Sequence, residues 1–375
     1  MKKVLIFSLT YYPHVGGAEV ALKEITDRIT DIEFHMLTCR IHGEAREERI
    51  GNVHVHRVSG GPSYLSKILF VPRAALAARA LHRVHRFDAF WAMMSYMLFP
   101  IVLLRWTGMR VPYLLALQEG DPFERVFNRL RILPFRPLIR LGFEHASAVQ
   151  AISAFLAGWA RRAGFDGQAD VIPNGVDIQR FTGEPVPHAG TVLITSSRLV
   201  HKNAVDTIIR ALALLPQEVS LVVAGSGPDG PLLKQLAQEQ NVTSRVVWRG
   251  HVDHAQLPAL LHGADIFIRP SRSEGMGNSF IEAMAAGIPV IGTQEGGIAD
   301  FLFDAKRNPG KEATGWAVDK DSPEQIAQAV QYILAHPEEV AHTVANARNM
   351  VEKDYDWDSV ARRMRALFDR MSSSR

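Results

Sequence analysis

Residues 270–291 read P-S-R-S-E-G-M-G-N-S-F-I-E-A-M-A-A-G-I-P-V-I, and two carboxylates, Glu274 and Glu282, sit eight positions apart in them. Gly275, Met276 and Gly277 lie between, then Asn278 and Ser279, then an apolar run that Pro289 closes. The apolar stretch A-D-I-F-I-R-P precedes it. The order is strand, glycine loop, helix start. A helix N-terminus presents unpaired N–H groups and partial positive charge, which suit a phosphate. Asn278 and Ser279 are capping residue types, and Glu282 falls about one turn inside the helix. Two acids flanking such a turn can hold sugar hydroxyls on either side of a diphosphate. Either glutamate alone also fits a dipole-matched cap.

The pattern E-G-M-G-x-x-x-x-E-A-M-A-A-G-x-P-V resembles the E-x7-E segment of the retaining family 4 glycosyltransferases, which have the GT-B fold. The resemblance extends over nearly all of the chain. It implies two Rossmann-like α/β domains facing across a cleft, with a C-terminal helix crossing back to the N-terminal domain. It also implies retention of anomeric configuration and a nucleotide-diphosphate sugar, UDP- or GDP-linked, as substrate. The acceptor would be a glycan or a lipid-linked sugar, as in cell-surface polysaccharide or glycolipid synthesis. A catalytically inactive nucleotide-sugar-binding subunit of a glycan assembly complex is the alternative, and a synthase of small glycosides is a third reading within the class.

Length and composition agree with this outline. A chain of 375 residues with 47% hydrophobic residues supports two domains. Cys39 is the only cysteine, which excludes an intrachain disulfide and favours the cytoplasm. The opening M-K-K-V-L-I-F-S-L has too short an apolar run for a signal peptide and reads as a buried strand. No run reaches membrane-spanning length. Net charge is +3, yet thirteen Lys/Arg face four Asp/Glu between Arg57 and Phe143. Such a basic half suggests an anionic partner or surface. A basic helix is expected over 64–86. The segment 123–141 mixes Phe, Leu and Ile with Arg125, Arg129, Arg131, Arg136 and Arg140. Both stretches suit peripheral contact with an anionic membrane at the inner face of the plasma membrane. Nothing in the pattern points to nucleic acid.

Strands and helices alternate throughout, which implies parallel sheets. The first strand ends at a loop, Y-P-H-V-G-G-A-E, in which Gly16 and Gly17 allow close backbone approach to a ligand. This loop is similar to the family's N-terminal glycine loop, and V-I-P-N-G-V-D, 171–177, to its marker ahead of the interdomain linker. The Pro/Gly-rich stretch 182–190 is expected to be that linker. Domains are therefore placed at 1–182 and 183–355, with 356–375 as the terminal helix.

Departure of a nucleoside diphosphate requires cations and N–H groups aimed at the developing charge. Arg198 and Lys202 sit just past a strand end, where open α/β sheets bind ligands. The string S-R-L-V-H-K-N is similar to the family's R-L-x-x-x-K-G, with Lys202 one place early and Asn203 at the usual lysine position. The resemblance further implies that Glu282 binds the ribose hydroxyls and that Glu274 contacts the transferred sugar. Backbone from Gly275 to Ser279 would hold phosphate and sugar, and Gly250, His251 and Val252 would lie near the base. The family often has a histidine after its fourth N-terminal strand, where this chain has Gln118, beside Glu119 and Asp121. Gln118 can hydrogen-bond a sugar hydroxyl, and Glu119 or Asp121 could orient or deprotonate the acceptor.

Two motifs and the scattered histidines read otherwise. G-S-G-P-D-G, 225–230, fits G-x-G-x-x-G, but the first strand lacks that motif and the next strand ends in Arg249 rather than an acid. D-Y-D-W-D, 354–358, has D-x-D spacing but precedes a helix that Asp356 or Asp358 can cap. His54 and His56 share a strand face without a third ligand nearby, and His82 and His85 read as surface residues. No metal or other cofactor is expected.

Overall fold

The structure, a computed structural model, describes residues 1–373 other than Pro62 and Arg131; Arg131, one of the basic residues noted in 123–141, lies outside the described set. The chain divides into two compact units, Met1–Asn174 with Trp357–Arg375, and Gly175–Asp356.

The first unit is built on eight strands: β1 Lys2–Phe7, β2 Ile32–Arg40, β3 Glu47–Ile50, β4 Val53–Gly60, β5 Ala89–Met93, β6 Tyr113–Leu117, β7 Ala148–Ala151 and β8 Asp170–Val171. They lie in the order β3-β4-β2-β1-β5-β6-β7-β8. All neighbours pair in parallel except β3 and β4. The central strands are apolar runs such as Y-L-L-A-L, buried throughout, as parallel strands covered on both faces require. The antiparallel edge strand β3, E-E-R-I, was not expected. Its charged, exposed side chains hide the strand pattern and suit a sheet edge.

The helix Trp357–Ser373 closes this unit. Trp357, Val360, Ala361, Met364, Leu367, Phe368 and Met371 recur at helical spacing and are buried in the unit's core. The Phe368 ring meets Trp91 edge-on at 5.4 Å and Phe34 at 6.2 Å.

The second unit carries six parallel strands: β9 Thr191–Ser196, β10 Val219–Ala224, β11 Val246–Gly250, β12 Ile266–Arg269, β13 Val290–Gly292 and β14 Trp316–Ala317. Their order is β11-β10-β9-β12-β13-β14. The helix Pro337–Asp354 also belongs here and was not expected. Its buried residues are only Thr343, Ala347 and Val351, too small and sparse to give an apolar stripe.

The division after Asn174 falls eight residues before the boundary placed at 182/183. Residues 182–190 are exposed, as a linker would be. The preceding residues, however, already pack with the second unit. Val176 bridges in parallel to Asp356, and Phe181, on the short helix Ile178–Phe181, is wholly buried.

Candidate active site

In the second unit the chain runs from β9 out to β11 on one side, then returns to fill β12, β13 and β14 on the other. Strand order therefore reverses between β9 and β12. Loops leaving the carboxyl ends of two such strands diverge, and ligands of open α/β sheets bind there. Arg198 and Lys202 follow β9, and Glu274–Ser279 follow β12.

The two loops are tied together. The Arg272 N–H donates to the Lys202 carbonyl at 2.7 Å. At the end of β12, Arg269 donates to Ser279 Oγ at 2.7 Å, to Asn203 Oδ1 at 3.2 Å and to Glu274 Oε2. Asn203, at the family's lysine position, is buried and donates to the Arg198 carbonyl at 2.6 Å. Asn203 therefore braces the Arg198 loop against β12, and Lys202 beside it is half-buried. Arg272 forks onto Asp206 at 2.9 and 2.7 Å and reaches Asp321 at 2.6 Å. Burial pushes the Asp206 carboxyl up, but the Arg272 guanidinium outweighs it and holds the group below the usual carboxylate range.

Glu274 is buried, with Oε2 on Arg269 and Oε1 accepting from the Gly275 N–H at 3.2 Å. Its carbonyl accepts from Gly297 N–H at 3.1 Å. Gly296, at φ +62°, passes so close that a Cβ there would lie 2.0 Å from that carbonyl oxygen. Gly277, at φ +94°, occupies the cap position of the helix Asn278–Ala285. Asn278 is the first helical residue, and the Ser279 hydroxyl accepts from Arg269. The expected side-chain cap is thus replaced by a left-handed glycine, which leaves the turn narrow. The helix ends in a Schellman pair, Gly287 N–H to Met284 O and Ile288 N–H to Ala283 O, so it stops before Pro289.

Glu282 sits one turn along this helix. Its Oε1 lies 2.8 Å from His254 Nε2, and Arg180 Nη1 lies 3.0 Å from His254 Nδ1. The guanidinium only donates, so Nδ1 accepts and Nε2 carries the proton to Glu282. The second oxygen of Glu282 makes no hydrogen bond among the described residues. Arg269 and His254 were missed by sequence reasoning. Arg269, an arginine at the end of a buried strand, was a visible signal, whereas nothing local marks His254. The Arg198 side chain is exposed and forms no hydrogen bond or ion pair among the described residues. Gly250, at φ +66°, ends β11, followed by exposed His251 and half-buried Val252. The G-S-G-P-D-G glycines serve packing. A Cβ on Gly225 would lie 1.8 Å from the Ser197 carbonyl oxygen, and one on Gly227 2.2 Å from that of Leu199. They let the β10 loop buttress the Arg198 loop.

In the first unit strand order reverses between β1 and β5. Gly16 and Gly17, both exposed, follow β1 and open the helix Gly17–Arg28. Gln118 and Asn174 exchange amide hydrogen bonds at 2.9 and 3.0 Å, which links the residue at the family's histidine position to the V-I-P-N-G-V-D stretch. Glu119 differs from its expected part. Its carboxylate is buried, accepting from Ser95 N–H at 2.7 Å and Gln118 N–H at 2.9 Å. Burial raises it above the ordinary carboxylate range, against the pull of those N–H groups. Oε1 holds the turn after β5, where Met94 has φ +70°, and Oε2 holds the backbone just past β6, so both oxygens of Glu119 are taken up by backbone N–H groups. Asp121, by contrast, is half-exposed, 3.5 Å from Arg129. In the D-x-D stretch, Asp358 accepts from Arg28 at 2.7 Å.

Two family models together span most of the chain: Glycosyltransferase Family 4 over residues 15–180 and Glycosyl transferases group 1 over 180–350. The chain belongs to the group 1, family 4 glycosyltransferases. This glycosyltransferase is 26% identical over 388 residues, 97% of each chain, to the GDP-mannose-dependent alpha-(1-6)-phosphatidylinositol monomannoside mannosyltransferase of Mycobacterium tuberculosis. It is 23% identical, over 99% of each chain, to an uncharacterized glycosyltransferase of Methanocaldococcus jannaschii. Among solved structures, sucrose-phosphate synthase from Thermosynechococcus elongatus matches over 100% of both chains with TM-score 0.85 and 21% identity. Anabaena HepE, solved with UDP and glucose, matches over 98% of this chain and 100% of its own with TM-score 0.78 and 19% identity. The glycosyltransferase is thus a hexosyltransferase of GT-B type that uses a nucleotide-sugar donor.

Proposed function

We propose that this enzyme moves a hexosyl group, with retention of configuration and without a divalent cation, from a UDP- or GDP-linked donor to a glycan or lipid-linked acceptor. The observation that carries this reading is the convergence of Arg198, Lys202, Glu274 and the N-terminus of helix Asn278–Ala285 on the loops flanking the β9/β12 reversal. In it the donor diphosphate rests on backbone from Gly275 to Ser279, with Arg198 and Lys202 meeting the charge that develops as the glycosidic C–O bond breaks. The free oxygen of Glu282 takes the ribose hydroxyls, and Gly250, His251 and Val252 border the base. Glu274 and Met276 border the transferred sugar. Within the first unit, Gly16, Gly17 and Gln118 are the candidate ligand-contacting residues. The acceptor hydroxyl attacks from the leaving-group face, and its proton passes to the departing phosphate oxygen.

The mycobacterial relative makes GDP-mannose and a mannosylated lipid the first donor and acceptor to try. A panel of UDP- and GDP-sugars, followed by thermal shift and by slow donor hydrolysis, is expected to single out one base and one sugar. A panel in which no donor raises the melting temperature or is hydrolysed overturns the reading.

Peripheral membrane contact at the inner face of the plasma membrane is part of the proposal. On the helix Tyr64–His85, Tyr64, Leu65, Ile68 and Leu69 are exposed beside Lys67 and Arg73. Leu130, Leu133 and Phe135 are exposed in the second segment, whereas Val126, Phe127 and Ile139 are buried and serve the core. No helix of the described residues is long and apolar enough to cross a membrane. The wild type is expected to float with phosphatidylserine-containing vesicles, and Leu65→Glu with Ile68→Glu to leave it in the unbound fraction. Equal flotation of both proteins, or none of the wild type, removes membrane contact from the proposal.

A further inference from the structure

The histidines that looked isolated along the chain are gathered by the first unit's sheet. Glu33 and His35 share one face of β2, and His35 pairs in register with His54 of β4. The helix Tyr64–His85 brings His85, its last residue, to the same place. The His35 ring lies 4.9 Å from His54, 5.4 Å from His56 and 4.3 Å from His85, centroid to centroid. The expectation that His54, His56 and His85 are separate surface residues is therefore corrected. Strand pairing, which sequence spacing does not show, is what brings His35 beside His54 and His56.

One ligand atom from each of Glu33, His35 and His85 lies within 4.8 Å of the other two. His35 Nε2 is 2.8 Å and His85 Nδ1 3.8 Å from the same oxygen, Glu33 Oε1. We propose that Glu33, His35 and His85 form a site for one divalent transition-metal ion of the zinc class, with a fourth position open to solvent. Two imidazoles and one carboxylate are a donor set that zinc accepts.

The neighbouring hydrogen bonds form a second, independent argument. His35 Nδ1 is 3.1 Å from His56 Nε2, and His56 Nδ1 is 3.3 Å from Glu47 Oε1. The chain Glu33–His35–His56–Glu47 thus has three links through two rings. With protons alone, all three are satisfied only if one ring carries a positive charge. With a metal on His35 Nε2, both rings are neutral and every nitrogen has its partner: His35 Nδ1–H donates to His56, and His56 Nδ1–H donates to Glu47. Metal-bound histidines are ordinarily oriented by such a second hydrogen bond. Lys3 Nζ lies 3.1 Å from Glu33 Oε1 and 3.0 Å from Oε2 and holds that carboxylate in place; a metal on Oε1 leaves Lys3 the other oxygen.

The position suggests a structural role. Glu33 and His35 lie near the start of β2, and Lys3 near the start of β1, whereas the loops of the candidate active site leave the ends of strands. A metal here would pin the C-terminal end of helix Tyr64–His85 to the sheet, and it is independent of the transfer chemistry proposed above.

The test is titration of the tag-free, chelator-treated full chain with Zn2+ by calorimetry and with Co2+ by visible absorption. One saturable equivalent is expected, with the intense d–d bands of a low-coordinate cobalt site and a rise in melting temperature. His85→Ala and Glu33→Gln are expected to abolish all three, and His56→Ala to weaken binding about tenfold or more. His42→Ala, at an exposed histidine elsewhere in the unit, should bind as wild type. Metal-free melting curves of the variants show that each one folds; His85 and Glu33 are only partly buried, so their loss leaves no hole in the core. Absence of saturable binding, or His85→Ala binding like wild type, overturns the proposal.

Discussion

Glu274→Ala is expected to damage both stability and turnover. Arg269 and Glu274 keep only 11% and 10% of their side-chain surfaces exposed. Removing one member of a buried pair leaves the other charge uncompensated, which costs about 3–5 kcal/mol. Asn203 Oδ1 and Ser279 Oγ would still accept from Arg269, so the lower end of that range is the better expectation. The Gly275–Gly277 turn would also lose the carboxylate that its first N–H meets. Denaturant unfolding should show the midpoint falling by the corresponding amount. At a temperature where the variant is still folded, kcat should fall further than the folded fraction explains. Glu274→Gln keeps the shape and one acceptor, so it should recover much of the stability and little of the turnover. A Glu274→Ala protein as stable as wild type would show that the pair with Arg269 does not hold the loop.

Arg198→Ala is expected to give the opposite pattern. The side chain is exposed and has no partner among the described residues, so its removal breaks nothing in the folded protein, and the melting temperature should stay within about a degree of wild type. If the guanidinium meets the departing diphosphate, kcat should fall by about 100- to 1,000-fold, the loss seen when one preorganised donor to a developing anion is removed. Arg198→Lys keeps the charge but loses the planar fork, and only partial recovery is expected. A stable variant with less than a tenfold loss would take Arg198 out of the mechanism. Together the two substitutions separate a residue that shapes the loop from one that faces the ligand.

Much of the architecture could be read from the chain because its physical cause is local. Apolar runs of strand length alternating with helical patterns specify parallel sheets, and the E-G-M-G string specifies a strand, a tight loop and a helix start. Arg198, Glu274 and Glu282 could be named because each lies beside such a landmark. Elements without a local signature were missed. The helix Pro337–Asp354 buries only small residues, and β3 is a charged edge strand.

What tertiary structure alone decided is which groups meet and how they are used. Glu119 looked like a base in sequence, yet its carboxylate is buried on the Ser95 and Gln118 N–H groups. His254, 28 residues from Glu282 in the chain, occupies one oxygen of that carboxylate and leaves the other without a hydrogen bond among the described residues. Arg269 acquired its part only when β12 was laid beside β9, which put Asn203 within reach. Glu33, His35 and His85 are brought together by one strand and the end of a helix some 50 residues later. The sequence determined the elements and the loops, because backbone preference and hydrophobic periodicity act between near neighbours. Pairing of charges and imidazoles depends on strand order and register, which the packing of the whole sheet decides.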